Sequence, residues 1–266
     1  MSKTYEERRR VRQGDFEYLV DDDDRTAWIS EGHCGGARVY TMPGKVTIEG
    51  VEYTITSVEI GAYRTSHDTN LEEVYFPDSY EYFDKYTFCC SPIRKVRLGK
   101  GFRHYMYWTL RSAVPDVKVE IDAGNPYIKL SDDGHMVLSK DGMELIYLVH
   151  DMEEVYVPEV VKSVLGCAIS CNHKLKRLHM PGTLKEIATD GIMENVSLER
   201  LVLRSDAVVM ADDRDLDTLP LSFCHLFVPR HLIPQYRSDP CWGKFKYIDA
   251  MEDLDKKRKI LDNDKI

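Results

Sequence analysis

The chain has 266 residues, of which 43% are apolar, and a formal net charge of −9 at pH 7. This length allows a sizeable core, and the acidic balance argues against a protein that binds nucleic acid or an anionic membrane through its net charge. No apolar run approaches the ~20 residues of a spanning helix, so we expect no membrane span. The amino-terminal segment lacks the apolar region of a signal peptide. This predicts a cytoplasmic protein, or a secreted or cell-surface one if a signal has been removed.

The chain contains seven cysteines, an odd number at irregular spacing. A disulfide framework needs paired cysteines, so reduced thiols in a reducing compartment are the simpler interpretation. The fold must then be held by the packing of apolar side chains rather than by cross-links.

Residues 1–15 are polar and charged, and we interpret them as a frayed or disordered lead. Alternating apolar residues then flank the run Asp21–Asp24, which predicts a β-hairpin with an acidic turn inside an amino-terminal cap over residues 16–40. Four consecutive aspartates could hold a cation. The ligands of known calcium loops are spaced apart, however, so a solvated turn is favoured.

A repeat organises the rest of the chain. Segments that begin at Met152, Leu175 and Leu198 share an apolar-x-x-apolar-x-apolar frame, and their starting positions are evenly spaced. The first, fourth and sixth positions lie on one side of a short strand, and stacked copies bury that side and supply the backbone partners. The pattern predicts a solenoid with a parallel strand ladder and short irregular or helical returns. Its core should include Val155, Val157, Leu178, Met180, Leu201 and Leu203.

Further frames extend the ladder in both directions. Taken together, the frames begin at Leu71, Ile93, Val114, Met152, Leu175, Leu198 and Phe223, and the steps between them are nearly equal except for the long one from Val114 to Met152. The long step requires an insertion, which we place at residues 125–150. There Asp141-Gly142 is a strong turn signal between two apolar runs, so one coil is predicted to carry an extra β-hairpin. Apolar-ended segments at 58–63, 83–88, 105–110, 164–169 and 187–192 are predicted to form the return sides.

The carboxyl-terminal part is predicted to close the solenoid. Residues 229–248 combine a short helical pattern with Trp242 and Phe245, which could cover the open end of the last coil. Residues 249–266 are mostly charged and are interpreted as a tail. The repeat region is thus predicted to be a single domain over residues 16–248.

In this order, the features resemble the BspA-like leucine-rich-repeat family over roughly residues 16–248. The matching segments are Tyr53–Val58 with Gly61-Ala62-Tyr63, the frames at Leu71, Met152 and Leu175, Asn125-Pro126 with Asp133-Gly134 and Lys140–Gly142, and Pro229–Tyr236 with Trp242, Phe245 and Ile248. The resemblance implies a β-rich leucine-rich-repeat solenoid of the α/β horseshoe class. It also implies binding of proteins or surfaces, and it brings no shared catalytic residues. At Ser66, Ser91, Asn172 and Asn195 the family often has cysteine.

Two groups contain residue types that bind metals. Cys167, Cys171, His173 and His179 are zinc-ligand types, but their spacing matches no standard zinc pattern, and a core cysteine with surface histidines is the simpler interpretation. The aspartates from Asp213 to Asp217 imitate the start of a calcium loop. The glycine and glutamate that such loops need at later positions are absent, which favours a solvated acidic loop.

Catalytic patterns are weak throughout the sequence. His33-Cys34 and Cys224-His225 are sequence neighbours, and neighbours on a strand point to opposite faces. No GxSxG, HExxH or glycine-rich phosphate motif occurs. We therefore predict no enzyme, no cofactor and no metal. The alternative is an enzyme or metal-dependent module with an unrecognised site near Cys167, Cys171 and Asp213 to Asp217.

The second, third and fifth positions of each frame should face outward, opposite to the core. Acidic and basic residues alternate there from strand to strand, and Pro115, Asp116 and Lys118 are expected on the third frame. Adjacent strands lie about 4.8 Å apart, so cross-strand pairs should neutralise one another. This self-neutralisation is favoured for most pairs. Alternating sign also argues against nucleic acid, which requires one sign along a stripe.

A binding role for the same surface is the functional alternative. Aromatic and arginine side chains dominate contact energies in interfaces. The predicted contacts are Tyr75, Arg97, Tyr156 and His179. The predicted function is a non-catalytic binding scaffold, monomeric, whose partner is a protein or a surface polymer.

Overall fold

The computed structural model describes residues 4–58, 70–83, 92–103, 117–212 and 216–254. Contacts between Cα atoms divide the chain into two compact units, residues 1–140 and 141–266. Within each unit, short parallel strands stack in a ladder, and helix is scarce. The predicted fold class, a β-rich leucine-rich-repeat solenoid, is confirmed. The extent of a single domain over residues 16–248 stays a prediction.

Unit 1 contains twelve described strands. They are β1 Arg9–Gln13, β2 Phe16–Asp21, β3 Thr26–Gly32, β4 Val39–Thr41, β5 Lys45–Ile48, β6 Val51–Val58, β7 Glu73–Phe76, β8 Tyr82–Phe83, β9 Lys95–Leu98, β10 Lys118–Ile121, β11 Ile128–Leu130 and β12 Met136–Ser139. One sheet has the order β1-β2-β3-β6-β5, with β8 pairing on β6, and a second has the order β10-β9-β7-β4. A 3₁₀ turn, Tyr5–Glu7, precedes β1.

Residues 4–15 are ordered, which corrects the prediction of a frayed or disordered lead there, and residues 1–3 lie outside those described. Strands β2 and β3 form the predicted hairpin, and β1 adds to it in an antiparallel register. The arginines of β1 pair with acids, Arg9 with Asp22 at 3.1 Å and Arg10 with Glu17 at 2.8 Å. Edge strands often carry charged side chains. The polar sequence of β1 therefore did not indicate a strand.

The run of aspartates divides between strand and turn: Asp21 ends β2 and is buried, whereas the turn residues Asp22–Asp24 are exposed to solvent, as predicted. Asp21 and Arg8 are each 1% exposed in their side chains, and their charged groups lie 3.9 Å apart. Asp21 Oδ1 also accepts the backbone N–H of Asp23 at 3.0 Å. The Arg8 guanidinium lies 3.6 Å from the ring centroid of Trp28. The first aspartate of the run therefore holds the turn against the sheet.

The ladder of unit 1 begins at β4, at the edge of the segment predicted as a cap, and runs through β7, β9 and β10 in parallel register. Val74, Val96 and Val119 share one register position and are buried. The fourth position of the third frame is therefore Val119 and not Val117, as the frame at Val114 predicts, and Val114 itself lies outside the described residues. The register is shifted by two residues. Because side chains alternate with a period of two, each one stays on the face that was predicted for it.

The predicted insertion contains strands on both sides of Asp141-Gly142, at β12 and at the first strand of unit 2. Within unit 1, β12 pairs antiparallel with β11. The fully buried Asn125 orders this segment. Its Nδ2 donates to the carbonyls of Gly99 at 3.0 Å and Phe102 at 2.8 Å, while its Oδ1 accepts two backbone N–H groups.

Unit 2 contains eight described strands and one described α-helix. They are β13 Glu144–Leu148, β14 Glu154–Tyr156, β15 Ser163–Val164, β16 Arg177–Met180, β17 Glu186–Ile187, β18 Arg200–Leu203, β19 His225–Val228, β20 Tyr247–Ala250 and α1 Ile233–Ser238. Strands β14-β16-β18-β19-β20 form one parallel ladder, and β13, β15 and β17 pair in parallel on the return side.

The predicted core ladder of unit 2 is confirmed. Its six predicted members are at most 4% exposed: Val155, Val157, Leu178, Met180, Leu201 and Leu203. Val155 lies opposite Leu178, which in turn lies opposite Leu201. The last frame differs at its first position, because Phe223 is 51% exposed while the neighbouring Cys224 is buried.

Asparagine supports the return side of unit 2. Asn195 is fully buried, and its Nδ2 donates to the carbonyls of Ile169 at 2.8 Å and Ile192 at 2.7 Å. Its Oδ1 accepts the backbone N–H of Asn172 at 3.1 Å. These amides satisfy backbone groups that would otherwise be buried without partners, a task that a cysteine at this position could not perform.

The carboxyl-terminal cap matches the prediction in its helix and aromatic residues. Trp242 is fully buried and donates from Nε1 to the carbonyl of Val209 at 2.7 Å, while the hydroxyl of Tyr236 accepts the N–H of Val209 at 3.1 Å. Beyond the aromatics, β20 extends the ladder by one more strand, and a 3₁₀ turn follows at Met251–Asp253. The start of the predicted tail is therefore ordered, whereas residues 255–266 lie outside those described.

Candidate binding face

We define the outer face of a ladder as the side on which the third and fifth frame positions lie, opposite to the buried fourth and sixth positions. The four predicted contact residues form two cross-strand pairs on such faces. Tyr75 on β7 lies opposite Arg97 on β9 in unit 1. Tyr156 on β14 lies opposite His179 on β16 in unit 2. Each unit therefore contributes one pair.

In unit 1, Tyr75 is tied to its own ladder. Its hydroxyl donates to Glu73 Oε2 at 2.6 Å, and Lys95 Nζ lies 5.6 Å from its ring centroid. Arg97 is exposed, and its side chain has no hydrogen bond or ion pair to the residues that the structure describes. A groove of about 280 Å³ adjoins the pair, and Asp78 and Asp122 line it.

The predicted self-neutralisation is present across the outer face of unit 1. Lys95 Nζ lies 3.2 Å from Glu120 and 4.0 Å from Glu73, and Lys118 Nζ lies 2.8 Å from Glu120. The hydrogen bond from Lys118 lowers the pKa of Glu120, burial opposes this effect, and Lys95 adds to it. Because of the corrected register, Glu120 and not Lys118 stands opposite Arg97. The Glu120 carboxylate nevertheless turns to the lysines.

In unit 2, an exposed tyrosine is stacked on a buried histidine. Tyr156 is 58% exposed, and its ring lies 4.2 Å from that of His179 at an interplanar angle of 4°. His179 is only 8% exposed, so the histidine offers a partner little surface in the free protein. The tyrosine ring covers the imidazole, and within this pair only Tyr156 presents a large surface to solvent.

Hydrogen bonds fix this stack from beneath. Glu154 Oε1 lies 2.9 Å from His179 Nε2, 3.0 Å from the Tyr156 hydroxyl that donates to it and 3.1 Å from Arg177 Nε. On the other side of the imidazole, Arg204 Nη2 lies 3.3 Å from His179 Nδ1. A guanidinium only donates, so Nδ1 accepts and the ring proton is on Nε2.

The protonation states agree with that arrangement. Burial lowers the pKa of His179, and the nearby Arg204 charge adds to this, although the hydrogen bond to Glu154 opposes it. For Glu154, burial raises the pKa, but hydrogen bonds from His179, Tyr156 and Arg177 outweigh it and the net direction is downward. A neutral imidazole thus lies between an ionised carboxylate and a guanidinium, and the tyrosine ring is held in one orientation.

A second stack of the same kind lies at the other end of the ladder, and the sequence analysis missed it. Tyr247 on β20 is 37% exposed, and its ring lies 4.4 Å from that of His225 at an angle of 5°. His225 Nδ1 lies 2.6 Å from Asp249 Oδ2. The signal was available, because Tyr247–Ala250 follows His225–Val228 at about the spacing of one repeat and has the same inward pattern.

Between the two stacks, the charge alternation fails. Arg177 on β16 lies directly opposite Arg200 on the central strand β18. Arg177 is neutralised by Glu154 and by Glu153, whose Oε1 is 3.8 Å away. Arg200 is half-buried, and its side chain makes no hydrogen bond or ion pair to any residue in the described ranges. Like charges side by side on neighbouring strands are unfavourable, so this row is not explained by self-neutralisation.

The candidate zinc ligands do not come together. Cys167 is buried beside Met193, at 3.7 Å between the sulfur atoms, whereas Cys171 Sγ donates to Glu194 Oε2 at 2.8 Å. His179 lies on the strand ladder. In the part of the chain that the structure describes, no group of three or more histidine, cysteine, aspartate or glutamate side chains is arranged to hold a metal.

The candidate calcium ligands and the candidate thiol nucleophile also have structural roles where the structure describes them. Asp213 and Asp215 lie outside the described residues, and Asp217 forms an ion pair with Lys244 at 2.9 Å. Burial raises the pKa of the Cys224 thiol to about 12, so this sulfur is protonated at neutral pH and is a poor nucleophile.

The described residues include no helix that is long and apolar enough to cross a membrane. Neither a comparison with protein-family models nor one with curated proteins gives a match for this chain.

Solved structures do match. A leucine-rich repeat protein from Bacteroides ovatus is 12% identical, with a TM-score of 0.50 over 90% of this chain and 61% of that one. One from Eubacterium ventriosum is 11% identical, with a TM-score of 0.42 over 81% of this chain and 70% of that one. A leucine rich cell surface protein from Faecalibacterium prausnitzii is 11% identical, with a TM-score of 0.32 over 94% and 97%. At such identities the likeness to the Bacteroides protein establishes the fold alone, a leucine-rich-repeat solenoid.

Proposed function

We propose that this protein is a non-catalytic binding scaffold whose partner is a protein or a surface polymer. The contact surface is the outer face of the unit 2 ladder. The observation that carries the proposal is the Tyr156 ring, which is 58% exposed and yet held rigidly by a stack and a hydrogen bond.

A side chain that is already ordered loses less conformational entropy when a partner binds. A surface tyrosine ordinarily loses side-chain entropy when a partner immobilises it. Here the His179 ring and the Glu154 carboxylate have already fixed the Tyr156 ring, so little further ordering is needed on binding. Rigid, exposed aromatic side chains are the type of residue that dominates contact energies. His179 acts as a positioning residue beneath the contact.

The pair Tyr75 and Arg97 is a second contact surface on unit 1. Arg97 is exposed and keeps its full hydrogen-bonding capacity for a partner, since no described residue engages it. Tyr75 is only half-exposed and is already committed to Glu73. We therefore assign this pair a smaller share of the binding energy than Tyr156.

Membership of the BspA-like family, within the leucine-rich-repeat proteins, is also part of what we propose. The motifs around Tyr53–Val58, Asn125-Pro126 and Pro229–Tyr236 support a BspA-like leucine-rich-repeat protein, and a binding role is what that resemblance implies. Monomeric state and location in the cytoplasm or at the cell surface stay predictions. The rival function, an enzyme or metal-dependent module, is tested by metal analysis of the purified chain and by melting with zinc, calcium or EDTA. A stoichiometric metal, or a melting shift of several degrees, would favour the rival.

The experiment that tests the proposal is quantitative affinity capture from an extract of the source organism. The parent is compared with Tyr156→Ala and Tyr75→Ala. The matched control is Tyr127→Ala, which removes a tyrosine that is 44% exposed but lies outside both ladders. We expect Tyr156→Ala to lower recovery of a specific partner about tenfold or more, as truncation of a dominant contact does. Equal recovery by Tyr156→Ala and the control would refute the assigned face.

A further inference from the structure

We propose that the outer face of unit 2 binds an acidic peptide segment, laid across the strands with a carboxylate on Arg200. This inference rests on the proposed function and names the chemistry of the partner. It concerns five residues at the third frame position of the ladder, which we call the Arg200 row: Glu154, Arg177, Arg200, His225 and Tyr247.

The first step is the charge of the row. Arg177 is neutralised by Glu153 and Glu154, and the His225 ring is engaged by Asp249. The side chain of Arg200, on the central strand between them, makes no hydrogen bond or ion pair within the described ranges. Its side chain is half-buried, and burying a charge further costs free energy unless an anion joins it. The centre of the row therefore carries a positive charge that no described residue compensates.

The second step is the length of the site. The exposed rings of Tyr156 and Tyr247 lie on the two edge strands of the ladder, β14 and β20. Four strand spacings of about 4.8 Å separate these edges, which gives roughly 19 Å. An extended peptide rises about 3.3 Å per residue, so about six or seven residues would reach from one ring to the other. The carboxylate would then stand near the middle of the peptide, with apolar or neutral side chains at the tyrosines.

The acids around Arg200 favour a peptide over a polyanion as the bound partner. Acids flank the central arginine on both sides, with Glu153 and Glu154 towards one edge and Asp249 towards the other. A polymer with a charge at every unit would meet these carboxylates at both ends. A peptide with one or two acidic residues avoids that repulsion and satisfies Arg200 with a bidentate pair.

The test uses a random heptapeptide library displayed on phage and selected on the immobilised full chain. The parent is compared with Arg200→Gln, and Arg94→Gln is the matched control because Arg94 is an exposed arginine on unit 1. We expect the parent and the control to enrich aspartate or glutamate at the central positions, and Arg200→Gln to lose that enrichment. For a synthetic peptide of the enriched sequence, Arg200→Gln should weaken Kd about tenfold or more, and so should glutamine in place of the central acid.

Arg200→Lys and thermal melting of every variant guard against misfolding: the lysine variant should melt like the parent and keep part of the affinity. Failure to enrich any peptide, or enrichment without an acid, would overturn the inference. If selected peptides lose affinity in Tyr156→Ala but not in Arg200→Gln, the binding face stands and the acidic assignment is wrong. If inorganic polyphosphate binds in an Arg200-dependent manner while the peptides do not, the partner is a polyanion and the inference also fails.

Discussion

The outer faces of the two ladders use the same frame but differ in chemistry. In unit 1 the lysines of the outer face are matched by acids, with Lys95 held between Glu73 and Glu120, and Arg97 is an exposed side chain left unpaired among the described residues. In unit 2 the exposed surface consists of tyrosines stacked on histidines at both ends, with Arg200 at the centre uncompensated by any described residue. The fourth frame position is alike in both ladders from β7 onward, being apolar and buried in each described strand. The repeat therefore dictates the core, and we infer that the outward positions are where the two units differ in function.

Surface charges also have different roles in the two units. Exposed ion pairs such as those of unit 1 contribute about 0–1 kcal/mol each to stability, so they serve mainly to cancel repulsion. An arginine that lies beside another arginine gives no such benefit to the free protein. We propose that this arginine in unit 2 serves to bind a partner.

The largest expected effect tests the shared core. Leu178→Asp would bury a charge in the ladder of unit 2, and we expect a loss of more than about 4 kcal/mol in the free energy of unfolding. Chemical denaturation followed by circular dichroism measures it. Glu199→Gln, an exposed change next to the neighbouring strand of the same ladder, should leave the transition unchanged. A parent-like midpoint for Leu178→Asp would show that the register is wrong.

The next effect compares the interiors of the two units directly. Asn125→Ala in unit 1 and Asn195→Ala in unit 2 each leave several buried backbone groups without partners. Each should cost about 3 kcal/mol, because an unsatisfied buried donor or acceptor costs about 1–3 kcal/mol. Denaturant titration of both variants provides the measurement. A large loss in one variant and none in the other would show that the two interiors are not equivalent.

A smaller effect concerns the buried histidine of unit 2. The pKa of His179 is lowered from its ordinary value of 6.5 by burial, so the folded state takes up its proton later than the unfolded state as the pH falls. Its contribution to stability is therefore complete above the ordinary pKa and declines as the pH drops towards the lower folded pKa. Unfolding measured from about pH 7.5 to about pH 5 should show this decline, and His179→Gln should flatten it. The exposed His173→Gln should retain it, and an unchanged slope in His179→Gln would contradict the assignment.

The smallest expected effect compares the charged residues on the outer faces of the two units. Lys95→Gln removes the centre of the matched pairs in unit 1 and should lower stability by about 0.5 kcal/mol. Arg200→Gln relieves a like-charge neighbour in unit 2 and should leave stability equal or raise it by a few tenths of a kcal/mol. Parallel thermal melts at low salt measure both. A clear loss of stability in Arg200→Gln would mean that Arg200 is structural.

The sequence predicts the core well because a frame position determines which side of the strand a residue lies on. Val155, Leu178 and Leu201 are buried as predicted for this reason. The same periodicity explains the error in the frame predicted to start at Val114. A shift of two residues leaves each side chain on the same face, so the pattern of faces does not reveal it. Strand β1 escaped prediction because its charged residues are those of an edge strand. Strand β20 escaped because Trp242 and Phe245 just before it indicate a cap rather than a further strand.

The site was predictable only in part. The frame places Tyr156 beside His179 and Tyr75 beside Arg97, as the register confirms. It does not determine which carboxylate pairs with which cation across strands. That pairing buries His179 and engages Arg177, and it depends on side-chain rotamers and on neighbours in the adjacent coils. The repeat pattern contains the row of residues, whereas the uncompensated charge emerges only from the folded arrangement.

Hydroxyl-radical footprinting of tyrosines, with and without a captured partner at saturation, shows which surface the partner covers. We expect oxidation of Tyr156 and Tyr247 to fall on binding, by several-fold for Tyr156, while oxidation of Tyr127 stays unchanged. Unchanged oxidation of Tyr156 in a saturated complex, with protection elsewhere in the chain, would contradict the claim that the outer face of unit 2 is the binding surface.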